Sequence, residues 1–369
     1  MAQNDNPVRM AIVGTGNIAG ARHMPAVRAL GGSVSVVAVV DIDAERASAF
    51  AAEYDITASY GELAPMLAVE RPDIVVVCTP PIAHREAVVE CLKAGSWVWC
   101  EKPPTLSLAE YDAIQQCEPQ NGPYVSYIFQ HRFGSGAQQL RKQITDGALG
   151  RPMVALCNTM WYRGREYFDL PWRGKWSTEG GGPTLGHGIH QMDLMLSLLG
   201  DWREVRALMA TIDRPVETED VSMAAVTLES GAVISVVNSL LSPREASYLR
   251  FDFEDATVEL THTYGYDNTN WSWTPAAHVT DEERIASWAP ADNVRSSHAA
   301  QLTELVESFR ARTRPRVSGA DGRRALEFIA GLYQSAITGR PVLRSELTPD
   351  NPFYHTMSGV VTSEMVVHA

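Results

Sequence analysis

"VRMAIVGTGNIAGARHMPAVRAL", residues 8–30, decides how the first third of the chain is read. Met10 to Val13 is a short apolar run suited to a strand buried on both faces of a sheet. Gly14, Gly16 and Ala19 then fill the pattern G-x-G-x-x-G/A ahead of a helix-like segment. In that pattern the first glycine permits a tight turn and the second lets backbone approach a pyrophosphate. The third small residue lets helix and strand pack closely. Phosphates would rest on the N–H groups at the helix start.

A glycine turn with no ligand reads the same way, so the neighbouring segments matter. The next strand, "VSVVAVVD" (34–41), ends in Asp41, an acid about 20 residues on, where a ribose hydroxyl partner is expected. A carboxylate there repels a 2′-phosphate and favours NAD over NADP, with Arg46 nearby working the other way. The alternative is that Asp41 and Asp43 cap the helix "AERASAFAAEY", a role that suits Asp43. Alternation continues with a helical "YGELAPMLAV", a buried strand "DIVVVCTP" (73–80) and a helical "HREAVVECLKAG" stopped by Gly95. "SWVWCEKPP" is a further strand that ends at Lys102. Strands alternating with helices predict an α/β, doubly wound parallel sheet. Ligands of such sheets bind beyond the carboxyl ends of the strands, where Thr79-Pro80 and Glu101-Lys102 stand. Lys102, between a strand end and Pro103-Pro104, is expected to point into the cofactor crevice; the alternative is a solvated surface lysine.

At 369 residues the chain is long enough for two domains. A net charge of -13 argues against nucleic acid or an anionic membrane as partner, though phosphate sites can be built locally from backbone N–H groups. Cys78, Cys91, Cys100, Cys117 and Cys157 form no C-x-x-C pair and read as reduced thiols of a cytoplasmic protein. "MAQNDNPVRM" lacks the apolar stretch of a signal peptide, and no run approaches the ~18 apolar residues of a membrane helix.

"GTGNIA", "CTPPIAH", "WVWCEKP" and "GIHQMD", in this order, resemble the Gfo/Idh/MocA family, which includes glucose–fructose oxidoreductase and inositol dehydrogenase. The resemblance runs from Val8 to about Val342 and includes "PWRGKWSTEGGG" and "VSGADGRRALEFIAGLYQSAITG". It implies a Rossmann domain, residues 1–125, and a substrate-binding and oligomerisation α+β domain, residues 126–369, built on an open, mostly antiparallel sheet. Strand-like segments such as "MVALCNTMWY", "VSMAAVTLES", "AVISVVNSLL" and "LRFDFEDATVEL" agree, as do the helical "SSHAAQLTELVESFRAR" and the helix after it. By the resemblance, Gly14, Gly16, Asn17 and Ile18 form the phosphate loop and Asp41 is the ribose acid. Thr79, Pro80 and His84 stand beside the cofactor, and Glu101, Lys102 and Pro103 form the E-K-P signature whose lysine lies by the nicotinamide. His23 fits a recurrent family histidine, read here as helix packing.

"PTLGHGIHQMDLML" (183–196) is the second decisive stretch. Many relatives read D-x-G-x-H-x-x-D; here Gly186 takes the first acid's place, His190 and Asp193 keep theirs, and His187 follows the missing acid. Three readings compete. A metal site would have to recruit Asp193, about 120° round a helix from His187. A helix start would simply precede the apolar stripe Ile189, Met192, Leu196 and Leu199. Acid–base chemistry would use His190 as general base and Lys102 as the cation that positions the hydroxyl and stabilises an alkoxide, with His187 standing in for the absent partner. The favoured assignment is catalytic, with no metal.

Residues 158–182 pack aromatics among arginines. Tyr162, Arg163, Trp172 and Arg173 are expected to line a sugar pocket, against core packing as the alternative. "NTNWSW" (268–273) reads as a pocket-mouth loop or a subunit contact. The whole points to an NAD-dependent dehydrogenase acting on a sugar, glycoside or polyol, in a homo-oligomer (dimer or tetramer). The alternative is redox-neutral glycoside elimination or cleavage with tightly bound, recycled NAD. A non-catalytic NAD-binding regulator is a third class.

Overall fold

In this computed structural model, which describes residues 6–360, the apolar runs of the first third become parallel strands. They are β1 (Val8–Val13), β2 (Val34–Val40), β3 (Ala58–Tyr60), β4 (Ile74–Val77), β5 (Trp97–Cys100) and β6 (Val125–Tyr127). Their order is β3-β2-β1-β4-β5-β6, so the winding reverses between β1 and β4. That reversal is the switch point at which doubly wound sheets bind ligands. Every residue of β4 is fully buried, as a strand covered on both faces requires. The helices Ala44–Glu53, Leu63–Glu70 and His84–Lys93 supply the alternation. Asp43 caps the first of them, its carboxylate accepting from the Arg46 N–H at 3.1 Å.

The chain divides into two compact units, and neither is one continuous segment. The first takes the chain up to Thr105, Glu110–Ile128 and His298–Gly322. The late helix His298–Ala311 thus returns to the first unit, where Leu302, Leu305 and Val306 join Val27 and Trp97 in the core. The second unit holds Leu106–Ala109, Phe129–Ser297 and the chain from Arg323.

The second unit is built on β7 (Pro152–Tyr162), β8 (Trp202–Ala210), β9 (Val221–Leu228), β10 (Val233–Ser239), β11 (Leu241–Phe253), β12 (Ala256–His262), β13 (Trp271–Pro275) and β14 (Val342–Leu343). Their order is β13-β12-β11-β7-β10-β9-β8-β14, antiparallel throughout except for β10 beside β7. Alternation along β9 and β10 buries one face and exposes the other. Val154, Leu208, Met223 and Val233 are exposed, and the register β7–β10–β9–β8 puts them on a common face. "NTNWSW" is not a free loop. It forms a short turn at Asn268–Asn270 and then the edge strand β13, with Trp271 buried and stacked on Trp273.

Among the described residues no helix is long and apolar enough to cross a membrane. All five cysteines are free thiols. The reading of the first ten residues as leaderless rests partly on residues 1–5, which lie outside the described residues.

Candidate functional site

In the first unit the loop after β1 has the geometry its glycines imply. Gly14 adopts φ +89°, and a Cβ there would lie 2.9 Å from the Cys78 carbonyl, so only glycine fits. Gly16 and Asn17 are exposed, and a Cβ on Gly16 would meet nothing within 4 Å, which leaves that backbone open to a ligand. The helix that follows is π-wound over Ala19–His23 and continues through Met24–Ala29.

Asp41, at the end of β2, is buried and heavily hydrogen-bonded. It accepts from the Thr15 N–H (2.8 Å) and hydroxyl (2.9 Å), from the Asp43 N–H (3.0 Å), and from Arg46 Nε (3.0 Å) and Nη2 (2.6 Å). Burial alone would raise its pKa. The Arg46 bond and the Asp43 and Thr15 donors outweigh burial and bring it down to about 2. The carboxylate is therefore ionised and oriented, and its arginine is half-exposed. Thr79 Oγ1 is buried without a hydrogen-bond partner at the end of β4, beside the exposed Pro80. The open glycine loop, the oriented acid and this unanswered hydroxyl fit a dinucleotide.

His84 is buried and acts on backbone. Its Nδ1 lies 2.9 Å from the Pro103 carbonyl and its Nε2 2.9 Å from the Thr79 carbonyl, so it ties the two strand-end loops together. Burial lowers its pKa, although both carbonyls favour the proton. A neutral ring donates to only one of them. Glu101 is likewise buried, with His23 Nε2 at 2.9 Å and His298 Nε2 at 3.4 Å from its Oε1. The two histidine bonds overcome the effect of burial and hold the carboxylate well below its ordinary range. Its Oε2 accepts the Lys102 N–H at 3.2 Å, so the half-buried lysine sits on a braced turn.

His23, Glu101 and His298 are the set of three potential metal donors found among the described residues, all within 4.8 Å of one another. A ligating imidazole normally donates its second nitrogen to an outer acceptor. His23 Nδ1 is buried without a partner, and its Nε2 is at hydrogen-bond distance from Glu101. The arrangement is a buried hydrogen-bonded cluster around the Glu101 carboxylate. His23 thus does more than pack a helix.

In the second unit a continuous helix runs from Thr184 to Leu199, again with a π-wound first turn. It enters from a tight approach: a Cβ on Gly182 would lie 1.9 Å from the Glu219 carbonyl oxygen. Buried Glu219 accepts from the Gly182 and Thr184 N–H groups (3.0 and 3.1 Å) and from the Tyr333 hydroxyl (2.9 Å). Burial still raises its pKa. The predicted stripe Ile189, Met192, Leu196 and Leu199 is buried as expected.

The two histidines of that helix face different neighbours. The His187 ring stands edge-on to Trp161 at 5.2 Å, with its Nε2 3.3 Å from the Tyr167 hydroxyl. His190 is buried against His131 (5.2 Å), Tyr264 and Phe129. Behind it Gln191 Nε2 lies 3.4 Å from His131 Nδ1 and 3.2 Å from His262 Nε2. Burial, with His131 adding to it, lowers the His262 pKa to about 2 and keeps that ring neutral. Asp193, the ligand that a metal reading needed, is held bidentately by Arg132 at 2.7 and 2.5 Å, both side chains buried.

Of the expected sugar-side residues, Arg173 lies over the rings of Tyr167 (3.7 Å) and Trp172 (4.4 Å) and bonds Glu179 at 3.2 Å. Arg163 pairs with Glu245 at 2.7 Å over the Trp161 ring. Tyr162 is exposed, with the Arg214 guanidinium 5.2 Å from its ring centroid. The aromatic–arginine interleaving is therefore real, and each of these two arginines already holds a carboxylate. Sequence reasoning missed Glu179, His131, His262 and Gln191. Glu179 had one usable signal, its place just before the glycine run that leads into the helix.

Fold and loop define an α/β dinucleotide-binding protein with a second, sheet-based unit. Residues 8–129 match an oxidoreductase family with an NAD-binding Rossmann fold, and residues 137–275 match the GFO/IDH/MocA C-terminal domain. The chain belongs to the Gfo/Idh/MocA oxidoreductase family, and its cofactor is NAD. It is similar to the D-glucoside 3-dehydrogenase of Escherichia coli, 26% identical over 92% of this chain and 99% of that one. A D-apiose dehydrogenase of Paraburkholderia graminis is 27% identical over 95% of this chain and 94% of its own. Among solved structures, the WlbA dehydrogenase of Chromobacterium violaceum, crystallised with NADH and UDP-GlcNAcA, superposes with a TM-score of 0.82 at 26% identity, covering 92% of this chain and 96% of that one.

Proposed function

We propose that this oxidoreductase moves a hydride between NAD and a secondary hydroxyl, or the matching ketone, of a sugar, glycoside or polyol. The observation that carries the reading is similarity to a D-glucoside 3-dehydrogenase over nearly the full length of both chains. Bound NAD supplies the hydride acceptor. Lys102 positions the substrate hydroxyl and stabilises the alkoxide oxygen as its proton leaves. His190 takes that proton as general base. Trp172, Arg173, Tyr162 and Arg163 contribute to the sugar site, and pairing of Arg173 with Glu179 and Arg163 with Glu245 favours a neutral over an anionic sugar. Asp41 takes the adenine ribose, and its ionised state favours NAD over NADP. The exposed apolar face shared by Val154, Leu208, Met223 and Val233 supports a homo-oligomer, dimer or tetramer. Five free cysteines suit a cytoplasmic setting.

A panel of neutral glycosides, sugars and polyols, followed by NADH absorbance, tests the activity. Nucleotide released from freshly purified protein is measured beside it. NADH formation on a neutral substrate is the expected result. Tightly held nucleotide with turnover but no net NADH would replace this reading by redox-neutral cleavage. Lys102→Ala should abolish turnover and leave NAD binding largely intact. His190→Ala should slow turnover by on the order of 10²–10⁴ and change its pH profile. An unchanged profile would remove His190 as base.

A further inference from the structure

The family's first acid is missing at Gly186, and the structure shows where a carboxylate returns. A Cβ on Gly186 would have one heavy-atom neighbour within 4 Å outside its own chain neighbourhood, Glu179 Oε1 at 3.8 Å. Glu179 is buried, comes from the strand-to-helix connection, and is held by the Gly174 N–H at 2.6 Å on Oε2. Its Oε1 accepts from Arg173 Nη1 at 3.2 Å. The same Arg173 nitrogen reaches the Tyr167 phenol oxygen. The phenol in turn contacts His187 Nε2 at 3.3 Å.

Donor accounting gives this chain a direction. A guanidinium only donates, so the Tyr167 oxygen accepts from Arg173. The phenol has one proton, and His187 Nε2 is its remaining partner. Were Nε2 to carry a proton, the phenol O–H would be left without an acceptor in a largely buried place, which is unfavourable. Burial also raises the Tyr167 pKa to about 12 despite the Arg173 charge, so the phenol keeps its proton at neutral pH. The edge-on Trp161 ring holds the imidazole plane from the β7 side.

We propose that Glu179, Arg173 and Tyr167 act as positioning residues that fix His187 as a neutral imidazole protonated on Nδ1. His187 is then a directed hydrogen-bond donor and not a base, and Glu179 replaces in space the acid absent at 186. This rests on the site reading above for its role in turnover, since a donor aimed at the reacting oxygen would strengthen as negative charge develops there. The tautomer itself does not depend on that reading.

Long-range proton–nitrogen correlation spectra of protein carrying isotope-labelled histidine report the tautomer directly, with His187 assigned by His187→Gln. The wild-type spectrum should show the Nδ1–H form. Tyr167→Phe keeps the ring and removes the hydroxyl, and should shift His187 toward the Nε2–H form or a mixture. It should also lower kcat about tenfold with little change in KM, as loss of a transition-state contact does. Glu179→Gln should shift the tautomer in the same direction and by less. An Nε2–H form in the wild type, or an unchanged tautomer in Tyr167→Phe, overturns the proposal whatever the enzyme's substrate. The expected spectra in a protein inert toward every carbohydrate would sustain the tautomer and defeat the functional reading instead.

Discussion

Two aspartates in this protein are gripped by arginine in nearly the same way. Arg46 holds Asp41 through Nε and Nη2 at 3.0 and 2.6 Å, and Arg132 holds Asp193 through the same two nitrogens at 2.7 and 2.5 Å. Their surroundings differ. The Arg46 side chain is 50% exposed, whereas Arg132 is 4% exposed and Asp193 1%. An arginine that is half in water can swing aside and return to solvent at little cost, so the Arg46–Asp41 pair is readily opened. A guanidinium and carboxylate both removed from water have no such alternative, and each becomes a strong liability if the other is lost. Matching hydrogen-bond geometry thus marks an exchangeable, half-exposed pair in the first unit and a buried structural clamp in the second.

The largest effect should come from breaking the buried clamp. Arg132→Ala or Asp193→Ala should cost about 3–5 kcal/mol of stability, read as a lower denaturant midpoint. A loss below about 1 kcal/mol, as for an exposed pair, would erase the contrast between the two. Asp41→Asn should leave stability nearly unchanged and weaken NAD by about tenfold or somewhat more, the range expected for a lost charge-assisted bond. NADP should suffer less, so the NAD-to-NADP affinity ratio should fall. Titration of binding with both nucleotides decides this, and an unchanged ratio would take Asp41 out of cofactor selection.

Gly186→Asp sharpens the account of the missing acid. It places a second carboxylate beside Glu179 and should reduce turnover through like-charge repulsion. Combined with Glu179→Ala, the same substitution should recover part of the activity that Glu179→Ala loses. Non-recovery in kcat would show that the two positions are not interchangeable. The smallest effect is a pH dependence. Asp41 titrates at about 2 in the folded protein against an ordinary 3.8. Its contribution to stability is therefore present above the unfolded value and fades as pH falls from about 4 toward about 2. Exposure of Arg46 keeps that contribution small. Acid unfolding of Asp41→Asn should converge with the wild type in that window, whereas parallel curves would contradict the lowered pKa.

The fold was largely legible because its signals are local. Gly14 must take a left-handed turn against Cys78, and the apolar runs Met10–Val13 and Ile74–Val77 can only be strands covered on both faces. Other elements escaped. Strand β8 carries a mixed pattern, "WREVRALMA", and β13 lies within the aromatic segment taken for a loop or a contact. The candidate site was legible only as residue types. Nothing near Asp193 in sequence reveals that Arg132, 61 positions earlier, closes its carboxylate. Nothing near Glu101 reveals His298, 197 positions later.

What the sequence by itself determined is much of the backbone of each unit and the candidate positions for its chemistry: the open loop at Gly16, the acid at the end of β2, the lysine after β5 and the histidines of the Thr184–Leu199 helix. Those follow from dihedral preferences and hydrophobic period, which neighbouring residues encode. The tertiary structure alone decided what each polar group does. It made Asp193 a clamp, turned His23 and His298 into the brace behind Glu101, and brought Glu179 to the place that Gly186 leaves open. The reason is physical: the state of a buried charge or imidazole depends on the atoms packed within a few ångströms of it, and folding draws those from anywhere along the chain.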